Sequence, residues 1–144
     1  MWRKFQSNMK KFLSTQYSET AFNVASLVLR LTFGLLLCLN HGFDKLLHFS
    51  KLEYTFSDPF HIGHRWTLVC TIFSEVFCSL LLTLGLFTRI AALVLVIQFA
   101  VIAFLIHKGA ALGVREPALL YLSAFFAVLM VGPGRVSVDG MMGK

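Results

Sequence analysis

Two charged side chains sit near the middle of long apolar runs, Arg30 within AFNVASLVLRLTFGLLLCLN and Glu75 within WTLVCTIFSEVFCSLLLTLGLF. A charge at bilayer depth costs at least about 2.5–3.5 kcal/mol on insertion scales, so such residues face a bundle interior, find partners and mark a site. A third run supplies the amide of Gln98, and a fourth supplies Tyr121 with Glu116 nearer the surface. A carboxylate, an imidazole, an amide, a phenol and cations suit proton transfer and hydrogen bonding to the polar head of an amphipathic molecule. Glu75 and His41 are the proton-handling, catalytic candidates. Arg30, Lys45, Gln98, Glu116 and Tyr121 are the candidate ligand contacts.

Counted at 1.5 Å per residue from the outer ends of their runs, Arg30 lies about 15 Å deep, Glu75 about 13 Å and Gln98 about 12 Å. The spacing predicts one intramembrane polar layer in which Arg30 meets Glu75. Arg30 and His41 differ by eleven positions, which leaves them about 20° apart around a regular helix, and Lys45 follows one turn later. If the helix continues past Asn40, one face carries Arg30, His41 and Lys45 and forms a polar path toward Glu75. The same residues also fit a purely structural ion pair that sets helix register, with Gln98 as an interhelical hydrogen-bonding group.

The elements that must carry these residues follow from composition. Of 144 residues, 57% are hydrophobic and 14% charged, against roughly 45–50% apolar usage in soluble domains. The mean hydropathy is +0.75. Four runs hold the excess, over 21–40, 66–87, 90–106 and 117–132, and about 17–25 apolar residues suffice for a membrane helix. The expected fold is an all-α membrane protein, a four-transmembrane-helix bundle. Pro117 is expected at the first position of the fourth helix, with Glu116 beside the positive end of its dipole. Gly85 to Arg89 reads as a tight hairpin, and Gly132-Pro-Gly-Arg135 as a helix stop before a tail over 136–144.

Residues 1–20 space Trp2, Phe5, Met9, Phe12 and Leu13 between Lys4, Lys10 and Lys11, the pattern of an amphipathic arm lying on a membrane surface. Four spans put both termini on one side. That side carries seven Lys or Arg against five on the other, which predicts cytoplasmic termini. The net charge of +6 is dispersed among apolar runs, so it fits membrane anchoring and not nucleic-acid binding. Cys38, Cys70 and Cys78 form no C-x-x-C pair. His61 and His64 lack a third ligand at metal-binding spacing, so no metal site is expected.

The run Leu29-Arg-Leu-Thr-Phe-Gly34 followed by His41-Gly-Phe-Asp-Lys45, then Glu75 ahead of Leu84-Gly-Leu-Phe-Thr-Arg89, Glu116-Pro-Ala-Leu-Leu-Tyr121, Gly132-Pro-Gly-Arg135 and Asp139, resembles the DoxX family of small bacterial membrane proteins. The resemblance covers about residues 25 to 140. It implies a four-helix bundle in the bacterial plasma (inner) membrane, and its named relatives include the DoxD and DoxA subunits of thiosulfate:quinone oxidoreductase. The chain departs from the family pattern in a longer, histidine-bearing loop between Lys45 and Trp66. With this resemblance, the leading expectation is a subunit of, or accessory to, a membrane oxidoreductase. It would hold a quinone-like ligand and no covalently bound cofactor. No flavin, haem or iron–sulfur ligation pattern is present, so electrons would come from a partner subunit or from a substrate. The alternatives are a non-catalytic membrane scaffold and a small-anion transporter or sensor, the latter as a homo-oligomer.

Overall fold

The computed structural model describes residues 18–143. The arm expected over residues 1–20 lies, up to residue 17, outside them. Among the described residues, four helices are long and apolar enough to cross a membrane: α1 (Glu19–Leu47), α3 (His64–Leu84), α4 (Thr88–Ile106) and α5 (Leu112–Val131). Two short helices also lie among the described residues, α2 (Phe49–Leu52) after α1 and α6 (Val138–Met141) after α5. No strand occurs among the described residues. The outward faces carry Val28, Leu36, Phe77, Ile90, Ile97 and Phe126, each at least 45% exposed. Such surfaces belong in lipid, and the protein is a multi-pass membrane protein.

The inner face is packed by Leu37, Leu82, Leu95, Phe125 and Val128. Small residues bring backbones close where lipid offers no hydrophobic drive: Ala92 and Ala103 of α4 lie buried, as do Ala118 and Ala124 of α5. Between α1 and α3 the close approaches are at glycines. A Cβ on Gly34 would strike the Thr83 hydroxyl, and one on Gly42 would lie 2.7 Å from Val76 Cγ2 and 2.9 Å from the Glu75 carbonyl oxygen. These contacts set the antiparallel register, with Gly42 beside Glu75 and Gly34 beside Ser79 and Thr83.

Helix limits differ from the sequence expectation at two places. The first helix does not stop at Asn40 but runs on to Leu47 through a π-helical turn at Cys38–Gly42. The fourth starts at Leu112, so Pro117 lies inside it and not at its first position; proline there has no N–H to offer the carbonyl one turn back. Two further π-helical turns lie at Phe73–Cys78 in α3 and Ile102–Ile106 in α4.

The end of the bundle where residue 18 and residues 132–143 lie is here the terminal face; the opposite end, with residues 48–63, is the loop face. At the terminal face the chain turns between α3 and α4 through Gly85 at φ 73° and Phe87 at φ 48°. Asp139 accepts from the Phe87 N–H at 3.0 Å and from the Thr88 N–H and hydroxyl at 2.9 Å each. Its own N–H donates to the Gly85 carbonyl at 2.8 Å. The Ser26 hydroxyl donates to the Gly132 carbonyl at 2.9 Å, and the Arg135 N–H donates to the Asn23 side chain at 2.7 Å. The segment after α5 is thereby tied across the end of the bundle.

Candidate functional site: a lipid-side cavity above a buried ion pair

Glu75 is 3% exposed and sits in the π-helical turn of α3. Its Oε2 accepts from Lys45 Nζ at 2.7 Å and its Oε1 accepts from Gln98 Nε2 at 2.9 Å. The Ser74 hydroxyl donates to Gln98 Oε1, which fixes the amide so that its nitrogen faces Glu75. Three helices therefore contribute one connected chain of polar groups, Lys45, Glu75, Gln98 and Ser74. A buried carboxylate needs this satisfaction, because desolvating it without partners costs several kcal/mol.

This chain forms the floor of a cavity of about 800 Å³ between α3, α4 and α5, within the roughly 300–1,000 Å³ of small-molecule sites. The first half of α3 leans on the end of α1 and on α2, which leaves a gap between it and α4. Val69 and Phe73 border the gap on α3 and Ile97 on α4. They are exposed apolar residues within the spans, so the cavity opens toward lipid. Phe56, Pro59 and Phe60 of the 53–63 loop roof it. The loop is held by Asp58, whose carboxylate accepts from the Gly63 N–H at 2.7 Å, the Thr67 hydroxyl at 2.9 Å and the Ile62 N–H at 3.1 Å. Partial desolvation opposes the charge on Asp58, but these donors, with His64 nearby, hold its carboxyl below the usual carboxylate range.

Three aromatic polar groups face the same space. Tyr121 stacks on Phe99 with centroids 5.0 Å apart and meets His41 edge-on at 5.8 Å. Its hydroxyl makes no hydrogen bond among the described residues. His107 lines the cavity at the loop-face end of α4, and its buried Nδ1 has no hydrogen-bond partner among the described residues. All three π-helical turns border the cavity, through His41, through Ser74 and Glu75, and through Ile102 and Ile106. Such turns recur at functional sites because the inserted residue re-aims side chains that a regular helix would point elsewhere.

Of the residues chosen from sequence, the structure brings together His41, Lys45, Glu75, Gln98 and Tyr121. It does not bring Arg30 or Glu116. Glu116 is exposed and does not line the cavity. The expected Arg30–Glu75 pair does not form: Arg30 Nη2 donates to the Val136 carbonyl and Nη1 to the Thr83 carbonyl at 3.4 Å. Asp139 supplies its countercharge. Helix register is the reason. Glu75 lies beside Gly42, twelve residues beyond Arg30 along α1, or about 18 Å at the helical rise. Counting depth from Asn40 levels the two charges because it ends α1 seven residues short of Leu47, about 10 Å at the helical rise, and takes the outer ends of α1 and α3 as level, which the contact of Gly42 with Glu75 shows they are not. The π-helical turn at Cys38–Gly42 also breaks the Arg30–His41–Lys45 stripe, since one inserted residue rotates the remainder of the helix by about 100°.

Sequence reasoning missed Ser74, His107 and the Asp58 staple. Ser74 carries a signal in adjoining Glu75 in sequence; His107 gives none beyond its place at a run's end.

Architecture and site together define the class: a four-span helical membrane protein with a cavity of about 800 Å³ that combines an apolar lateral opening with a polar floor. The DoxX family model matches residues 25–108, and the chain belongs to that family. No curated protein and no solved structure matches the chain.

Proposed function

We propose that the protein takes up a quinone-like molecule from the bilayer and serves a membrane oxidoreductase as a subunit or accessory. The single observation that carries this reading is the cavity's form, open to lipid between α3 and α4 and ending on Lys45, Glu75, Gln98, His41 and Tyr121. A quinone needs an apolar path for its tail, an aromatic surface for its ring, and a donor at each carbonyl. Phe99 and Tyr121 supply the surface. The Tyr121 hydroxyl and the His41 ring are donors without a hydrogen-bonding commitment elsewhere among the described residues. Glu75, bonded to Lys45, is the group that can relay a proton to or from a ring oxygen. Reduction of the quinone to quinol takes two electrons and two protons, and the electrons would come from a partner subunit. The setting is the bacterial inner membrane with cytoplasmic termini, because four of the seven basic residues on the terminal side precede α1.

An anion route has less support, since Lys45 is engaged by Glu75 and Arg30 by two carbonyls. A scaffold role draws support from the Arg30–Asp139 cluster, which ties helix ends together apart from the cavity. The deciding variant is Glu75→Gln in native membranes. It should abolish quinone-dependent electron transfer with the protein's level and monodispersity intact. Activity and folded protein declining in step would instead mark a scaffold.

A further inference from the structure

The Glu75 layer differs sharply on its two sides. Toward the loop face, Lys45 lies two residues from the end of α1 and keeps 18% of its side chain exposed. His41 is exposed one turn away, and the cavity reaches up to the 53–63 loop. Toward the terminal face, the space below Glu75 is filled by Leu37, Cys78, Leu82, Leu95, Phe125 and Val128, all at most 3% exposed, and by the hydroxyls of Ser79 and Thr83, each donated to the α3 carbonyl one turn back. Beneath that layer the tied segment after α5 closes the end, with Arg30 and Asp139 both buried in it. A packed layer whose hydroxyls are committed to backbone carbonyls holds no water, because water needs two to four polar partners to be retained.

We infer that the Lys45–Glu75 pair exchanges water and protons with the loop face of the membrane only, so that any proton chemistry at the cavity floor is one-sided. The step balances simply: the Lys45 ammonium passes a proton to the Glu75 carboxylate, leaving an amine and a carboxylic acid, and a hydronium ion from the loop face restores the ammonium and leaves water. The titratable groups facing this pair are His41 on α1, His107 on α4 and Tyr121 on α5, with Asp44 beside His41. His41, Asp44 and His107 lie at the pair's level or nearer the loop face; Tyr121 packs down on Phe125 and Phe33, and the Cys78 thiol is enclosed in the packed layer itself. The inference deepens the proposed ligand reading in naming where its protons go, but the access it describes holds with the cavity empty.

The test uses the full chain in sealed vesicles of known orientation, with the three native cysteines replaced by alanine and Glu75→Cys as the sole thiol. The thiolate is the reactive form, so alkylation by lipid-soluble N-ethylmaleimide reports the pH sensed at that position. Raising the pH on the loop face by one unit should raise the alkylation rate by up to about tenfold, and raising it on the terminal face should leave the rate unchanged. A rate that follows the terminal-face pH, both faces, or neither overturns the inference. If Glu75→Cys does not fold, Ser74→Cys keeps the Lys45–Glu75 pair and carries the same test. Protection of Cys70 by a short-chain quinone is read separately, so a wrong route and a wrong ligand give different patterns of failure.

Discussion

Removing one partner of the buried pair should reveal which cation serves Glu75. At 2.7 Å between Lys45 Nζ and Glu75 Oε2, the gross attraction at an effective dielectric near 20 is several kcal/mol, and desolvation of both charges offsets most of it. Lys45→Met leaves a 3%-exposed carboxylate with Gln98 as its remaining partner. Because Lys45 is itself partly exposed, the cost should fall below the range for a fully buried pair, at about 2–3 kcal/mol. Glu75→Gln in the Lys45→Met background should recover part of that loss, giving a coupling energy of about 1–3 kcal/mol. Arg30→Gln combined with Glu75→Gln should be additive within about 0.5 kcal/mol, since the two sites share no partner and lie about 18 Å apart along the bundle. Reversible unfolding in mixed micelles, followed by far-ultraviolet circular dichroism, measures all the terms. A coupling of Glu75 to Arg30 as large as that to Lys45 would refute the register on which the site is built.

Alkylation of Cys70, the exposed cysteine that lines the cavity, should slow about tenfold in the presence of a short-chain ubiquinone at ten times its Kd; an unchanged rate counts against the ligand reading. Gly42→Ala places a Cβ against the backbone of Glu75, so it should destabilise the protein by about 1–3 kcal/mol and weaken the Lys45–Glu75 coupling in the same cycles. The Asp58 carboxyl is held below its ordinary value when folded, so it supports the loop at neutral pH and loses that support as pH falls from about 3.9 through the lower folded value. Hydrogen-exchange protection at Ile62 and Gly63, relative to the intrinsic rate at each pH, should therefore fall across that acid window, and Asp58→Asn should remove that pH-dependent loss of protection. Arg30→Lys gives up the paired carbonyl contacts, so limited proteolysis within residues 135–143 should accelerate while quinone protection of Cys70 persists.

Four apolar runs, the hairpin at Gly85 and the stop at Gly132 were legible in the chain because hydropathy and turn chemistry are local properties, and so was the choice of His41, Lys45, Glu75, Gln98 and Tyr121 as residues too polar for lipid. Their partners were not legible. Whether Glu75 meets Arg30 or Lys45 depends on how far α1 slides along α3. That sliding is set by Gly34 and Gly42 lying against Thr83 and the Glu75 backbone, together with a π-helical turn that no composition signal announces. The enclosing of Arg30 by Val136 and Asp139 likewise joins residues more than a hundred positions apart. A sequence states which side chains cannot remain in hydrocarbon alone; only packing, which fixes helix register to within a fraction of a turn, decides which of them meet.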